Sequence, residues 1–270
     1  MLLNMSNNLL QRIVSAVLLL PPVLATVYFG GWWFIGLLAL GAFLMAAEWS
    51  KLVISPSIMV GSLLGFVVIG ALVVIKEYAI EAHDFIIAGL LVALVSYAVI
   101  RTGIAKTLGW WLLGVAYVSL PVMAMWWLHT VNPLLVLWVF LIVWGTDIGG
   151  YFAGKSIGGP KLAPRISPKK TWAGLLGGMS LAALASFVLW LLYPFLPYAI
   201  PVVVAAAGLA VWAQIGDLVE SGIKRSFGVK DSGGLIPGHG GLLDRVDGLV
   251  FVAPAVALLV NNFPLLLGAG

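Results

Sequence analysis

The chain has 270 residues, of which 62% are hydrophobic and only 9% charged, with a mean hydropathy of +1.12. A soluble domain carries about 25% charged residues and has no interior large enough for so much apolar surface, so the composition excludes a soluble globule and predicts an all-α, polytopic membrane protein. Cysteine is absent, which removes disulfide and thiolate chemistry. A net charge of +4 in so apolar a chain points to lipid headgroups and topology rather than to nucleic acid.

In chain order, apolar runs predict nine spans, at approximately 10–29, 31–49, 57–75, 84–100, 107–128, 133–152, 171–193, 198–217 and 248–268. Only Arg12 stands at the start of the first run and no small-residue cleavage site follows it, so a retained span is expected rather than a signal peptide. Pro21-Pro22 should kink that helix, and Gly30-Gly31 separates it from the second. Trp32, Trp33, Trp110, Trp111, Trp126, Trp127 and Trp172 fall near span ends, where an aromatic belt belongs.

On this map, 13 of the 14 Lys and Arg residues lie on one side, with only Lys76 on the other. The positive-inside rule makes that side, and with it the N-terminus, cytoplasmic. Residues 1–130 read as lipid-embedded helices with few charges, mostly topology signals or snorkelling anchors. Residues 131–270 read as the catalytic region, because 15 of the 24 charged residues lie between Asp147 and Asp247. His83 and His129 have no ligand-spaced partner and read as surface residues.

Three clusters carry the candidate chemistry. In VWGTDIGGYFAGKSIG (143–158), Asp147 ends an apolar helix. An acid there is expensive and is a functional candidate, while the glycines around it also suit close helix packing. In KLAPRISPKKTWAG (161–174), Lys161, Arg165, Lys169 and Lys170 precede a span. They suit either anionic lipid or phosphate at a helix start. The third cluster is QIGDLVESGIKRSFGVKDSGGLIPGHGGLLDRVD (214–247). Asp217, Glu220 and Lys224 share one helical face, and Asp244 and Asp247 are three apart. Gly228, Gly233, Gly234, Gly238, Gly240 and Gly241 lie between them, with His239 among the glycines. Such a loop brings backbone N–H groups close to a ligand. Carboxylates without cysteine favour a hard cation over structural zinc, and Lys and Arg beside them suit an oligophosphate. Metal-assisted phosphoryl or nucleotidyl transfer is the class this implies.

SGIKRSFGVKDSGGLIPGHGGLLDRVD (221–247) resembles the signature of the phosphatidate cytidylyltransferases (CDP-diacylglycerol synthases), as do Ser-Pro-Lys-Lys-Thr-Trp at 167–172 and Asp-x-Gly-Gly-Tyr at 147–151. Ala173 departs from the family pattern, which often has an acidic or amide side chain there. The resemblance implies Mg²⁺-dependent transfer of CMP from CTP to phosphatidate, giving CDP-diacylglycerol and pyrophosphate. It implies one or two divalent ions, or one divalent ion with a second, monovalent cation. Asp217 and Asp244 are expected as direct metal ligands, with Asp247 and Asp147 supporting or ligating. Lys224, Arg225, Lys230 and Arg245 should take phosphates, with Lys169 and Lys170 behind them and Ser221, Gly240 and Gly241 lining the substrate. His239 should help neutralise departing pyrophosphate, and Glu220 and Asp231 should orient cations. The resemblance also implies a homodimer in the inner (plasma) membrane with its site at the cytoplasmic face. The rival readings are a CTP-dependent polyprenol or phytol kinase, which would need a general base for its alcohol, and a transporter with midplane charges at broken helices.

Overall fold

A computed structural model describes residues 7–54, 108–235 and 240–263. Expected spans three and four lie outside the described residues. The chain divides into two compact units, one drawn from 1–123 and 231–245, the other from 124–230 and 246–270.

In the first unit, α1 (Asn7–Phe29) continues through Pro21-Pro22. It ends at Gly30 and Gly31, with φ of 61° and 53°. Two successive left-handed residues break the helix, and only glycine adopts them cheaply. The next helix, α2 (Gly31–Trp49), packs on α1 and closes with a π turn at Ser50–Ile54. Near its end the Trp49 indole donates to Trp110 O at 3.0 Å and stacks on Tyr117 with centroids 5.0 Å apart. Both partners belong to α3 (Leu108–Val131), where Gly114 leaves room for the indole.

The second unit is built on small residues. Asn132 caps α4 (Pro133–Ser156) by accepting from Leu134 N at 2.9 Å, with Pro133 following it in the first turn. Thr171 caps α5 (Trp172–Leu192) by accepting from Gly174 N at 3.1 Å. Among the described elements, these two helices make the most extensive contact. Gly145 faces Ala182, Gly149 faces Gly177 and Thr146 faces Gly178, so near that added Cβ atoms would collide with the opposing helix. Lipid offers apolar side chains no reason to leave it, so close backbone approach supplies the attraction instead. One buried polar pair adds to it, with Trp138 Nε1 donating to Ser186 Oγ at 2.9 Å.

Between α4 and α5 the chain forms an antiparallel hairpin of β1 (Lys161–Ala163) and β2 (Ser167–Thr171), with Lys161 opposite Thr171 and Ala163 opposite Ser167. The sequence leads one to expect only a basic loop there. After α5, α6 (Ala199–Ser226) has 28 residues, about 42 Å at 1.5 Å per residue against a hydrocarbon core of about 30 Å. Its C-terminus is a Schellman motif: Val229 N donates to Lys224 O at 3.0 Å, Gly228 N donates to Arg225 O at 3.1 Å, and Gly228 has φ 71°. The last helix, α7 (Leu243–Asn262), starts five residues before the expected 248 and takes Asp244 and Asp247 into its first turns.

Among the described residues, five helical segments are long and apolar enough to cross a membrane: Gly31–Val53, Leu112–Val131, Pro133–Ser156, Trp172–Leu192 and Ala199–Ser226.

Candidate active site

The second unit gathers four carboxylates. Gly216 allows α7 to approach α6 so closely that a Cβ there would meet Asp247 O and the Phe251 ring. That contact sets Asp247 beside the polar end of α6, and the negative charges of Asp217, Glu220 and Asp147 all bear on it. Asp247 also accepts from Gly248 N at 2.8 Å.

Two lysines answer these charges. Lys170, on β2, contacts Asp217 Oδ2 through its ammonium, and Ser221 Oγ donates to Asp217 Oδ1 at 3.2 Å. One turn along α6, Lys224 Nζ lies 3.1 Å from Glu220 Oε1. Glu220 and Lys224 are 2% and 7% exposed, so this is a desolvated ion pair rather than a surface one. Among the described residues, no three His, Asp or Glu side chains stand together as a ready-made metal cage. Two of the four carboxylates, Asp217 and Glu220, are engaged with lysines instead.

The first unit holds the glycine-rich loop. Asp244 Oδ2 accepts from Gly241 N at 2.8 Å, Ser232 N at 2.9 Å and Ser232 Oγ at 3.1 Å. Asp244 is therefore buried and fixed in orientation. Gly240 has φ 86°, and its position leaves no room for a Cβ beside Asp244.

The remaining expected residues are more open. Lys169, Arg225, Lys230, Asp231, Arg245 and Asp147 are exposed, and Arg225 donates to Val229 O at 2.9 Å across its own turn. Lys155, exposed on the last turn of α4, stands over the Tyr151 ring. His239 lies outside the described residues. Thr171 is spent as a helix cap, so its hydroxyl serves Gly174 N.

Sequence reasoning passes over Glu48. This residue is 7% exposed near the end of α2, and it accepts from Leu242 N at 2.8 Å, Leu243 N at 2.9 Å and Ser232 Oγ at 3.0 Å. The signal available was the rule that singled out Asp147: an acid at the end of an apolar run is expensive.

Residues 10–263 match the cytidylyltransferase family, and the chain belongs to that family. It is 38% identical over 259 residues to the phosphatidate cytidylyltransferase of Brucella suis biovar 1 (strain 1330), covering 93% of each chain. The enzyme of the same name from Brucella melitensis biotype 1 is equally similar, 38% over 259 residues with 93% of each covered. That of Staphylococcus aureus (strain COL) is 42% identical over 149 residues, 55% of this chain and 57% of the other.

Proposed function

We propose that this chain transfers CMP from CTP to phosphatidate, releasing pyrophosphate and forming CDP-diacylglycerol in phospholipid biosynthesis. The observation that carries the reading is its membership of the cytidylyltransferase family along nearly its whole length, with curated phosphatidate cytidylyltransferases 38% identical over 93% of the chain.

The side chains suit the reaction. The acceptor phosphate is itself the nucleophile, so no Ser or Cys nucleophile and no strong base are needed. What the protein must do is hold two polyanions in line and stabilise charge at the α-phosphate. Lys170 and Lys224 each stand beside a carboxylate and bring a cation to this end of the helices. We assign Lys224, Arg225, Lys230 and Arg245 to reacting phosphates, and Lys169 with Lys170 to the phosphatidate headgroup. Ser221, Gly240 and Gly241 belong to the substrate-binding wall, and His239 to the departing pyrophosphate.

The donor set fits Mg²⁺ by its chemistry. Carboxylate oxygens are the ligands a hard cation takes, and the charges of Asp217, Glu220 and Asp147 all bear on Asp247. Asp217 and Asp244 are proposed as direct ligands, with Asp247 and Asp147 supporting or ligating. When bound, the ion would supply charge neutralisation at the phosphates. Lys170 would have to leave Asp217 for that oxygen to serve, which would free its ammonium for a substrate phosphate.

For topology we propose nine spans in the inner membrane, with the N-terminus and the site on the cytoplasmic side and a homodimer as the assembly. The basic bias supports this orientation, as does the length of α6, whose charged end at Asp217–Ser226 begins about 27 Å along the helix, near the far boundary of a core about 30 Å thick. Incubating the purified protein with CTP and phosphatidate, with Mg²⁺ or with EDTA, tests the reading. CDP-diacylglycerol and pyrophosphate should appear together with Mg²⁺ and stop with EDTA. Equal turnover in EDTA would remove the metal from the proposal.

A further inference from the structure

Among the described residues, Glu48 is the one buried acid that the proposed chemistry does not use, and its surroundings are built for it. A carboxylate held out of water is costly unless donors answer it. Here three donors do, all from 232–243: the backbone N–H groups of Leu242 and Leu243, and the Ser232 hydroxyl. The first two belong to the N-terminus of α7, where free N–H groups and the helix dipole favour an anion. In effect the capping residue of α7 comes from α2, nearly 200 positions earlier in the chain.

The glycines confirm the fit from the other side. A Cβ at Gly241 would collide with the Glu48 carboxylate and the Ser232 hydroxyl. At Gly233 it would come within 3.1 Å of Glu48 Oε1. Gly241 thus leaves the space that Glu48 and Ser232 fill, and Gly233 packs closely against the same carboxylate.

Ser232 links Glu48 to the reaction. Its Oγ lies 3.0 Å from Glu48 Oε2 and 3.1 Å from Asp244 Oδ2. A hydroxyl has one proton, so it serves one carboxylate at a time and senses the position of both. Glu48 also holds the backbone at 242–243, directly beside Asp244.

We propose that Glu48 is a positioning residue for CMP transfer: by seating Ser232 and the start of α7, it presents Asp244 in a single orientation. The role in catalysis rests on the function proposed above. A carboxylate displaced by about 1 Å costs up to roughly 10²-fold in rate, so the loss should appear in kcat.

The test uses the full chain in lipid–detergent micelles. Glu48→Gln keeps the size but gives an amide nitrogen to a site where only an acceptor works. Its kcat should fall by roughly 10- to 10²-fold while KM for CTP and for phosphatidate stays within about threefold. Ser232→Ala, which removes a single donor, should lower kcat less. The double variant should lose less than the product of the two, since both break one linkage. A readout independent of turnover comes from the exposed Leu235. With no native cysteine in the chain, L235C is the sole thiol, and Glu48→Gln should speed its modification several-fold. Wild-type kcat in Glu48→Gln overturns the proposal, as does an unchanged thiol rate. A melting-temperature loss with unchanged kcat per folded molecule overturns it too, because Glu48 would then be structural only. Absence of turnover in the wild-type chain would instead sink the functional reading.

Discussion

Lys170 and Asp217 offer the most direct test at the scale of single residues. Asp217→Asn preserves shape but removes a hard anionic ligand and the partner of Lys170, so activity should fall at least ~10²-fold, the scale of losing one strong transition-state stabiliser. Added Mg²⁺ should restore it only in part, as a Mg²⁺ titration of initial rates would register. Glu220→Gln is different in kind. Glu220 pairs with buried Lys224, and neutralising it leaves that ammonium unanswered in a desolvated place. The cost should be about 3–5 kcal/mol of stability, visible as a lowered Tm, and Glu220→Gln/Lys224→Met should recover part of it. Sequence alone casts Glu220 as an orienting group and does not foresee how deeply the pair is buried. The spacing of Asp217, Glu220 and Lys224 was legible because one helix fixes it. The engagement of Glu48 with Ser232 and Leu243 was not, since those contacts span 184 and 195 positions and no local pattern encodes them.

Among the elements, α4 and α5 depend on their glycines. Gly149→Ala places a Cβ against Gly177 O, which is backbone and has little room to yield. Overpacking of this kind costs about 1–3 kcal/mol, so thermal unfolding in detergent should show a lower Tm with the site residues untouched. The glycines of VWGTDIGGYFAGKSIG therefore serve helix packing at 145 and 149, which was one of the two readings their sequence permitted. On the β1–β2 hairpin, Lys169 is exposed while Lys170 is held by Asp217. Lys169→Gln should raise KM for phosphatidate more than for CTP if it meets the lipid, since a contact made equally in ground and transition states appears in KM. Kinetics in mixed micelles with each substrate varied in turn would show it. A rise for CTP alone would assign Lys169 to the nucleotide. The long helices were legible from apolar length alone. The hairpin was not, because strands of three and five residues carrying Lys, Pro and Ser have no alternating pattern. The early start of α7 was hidden because its first turn is charged, and a search for apolar runs begins only after Asp247.

For the whole molecule, the basic bias predicts that the 155–170 and 221–247 segments face the cytoplasm. Ser156 and Leu235 are both exposed, and single cysteines there should react with an impermeant thiol reagent only in inside-out vesicles. Labelling from outside would contradict the nine-span order. The chemistry itself is tested most directly by following the two ends of CTP. Purified protein is given phosphatidate and CTP labelled either at the α- or at the γ-phosphorus, and the chloroform-soluble product is counted. CMP transfer predicts that the α label enters the lipid and the γ label stays in water as pyrophosphate. A γ label in the lipid fraction, which is what a CTP-dependent kinase would leave, would contradict the account.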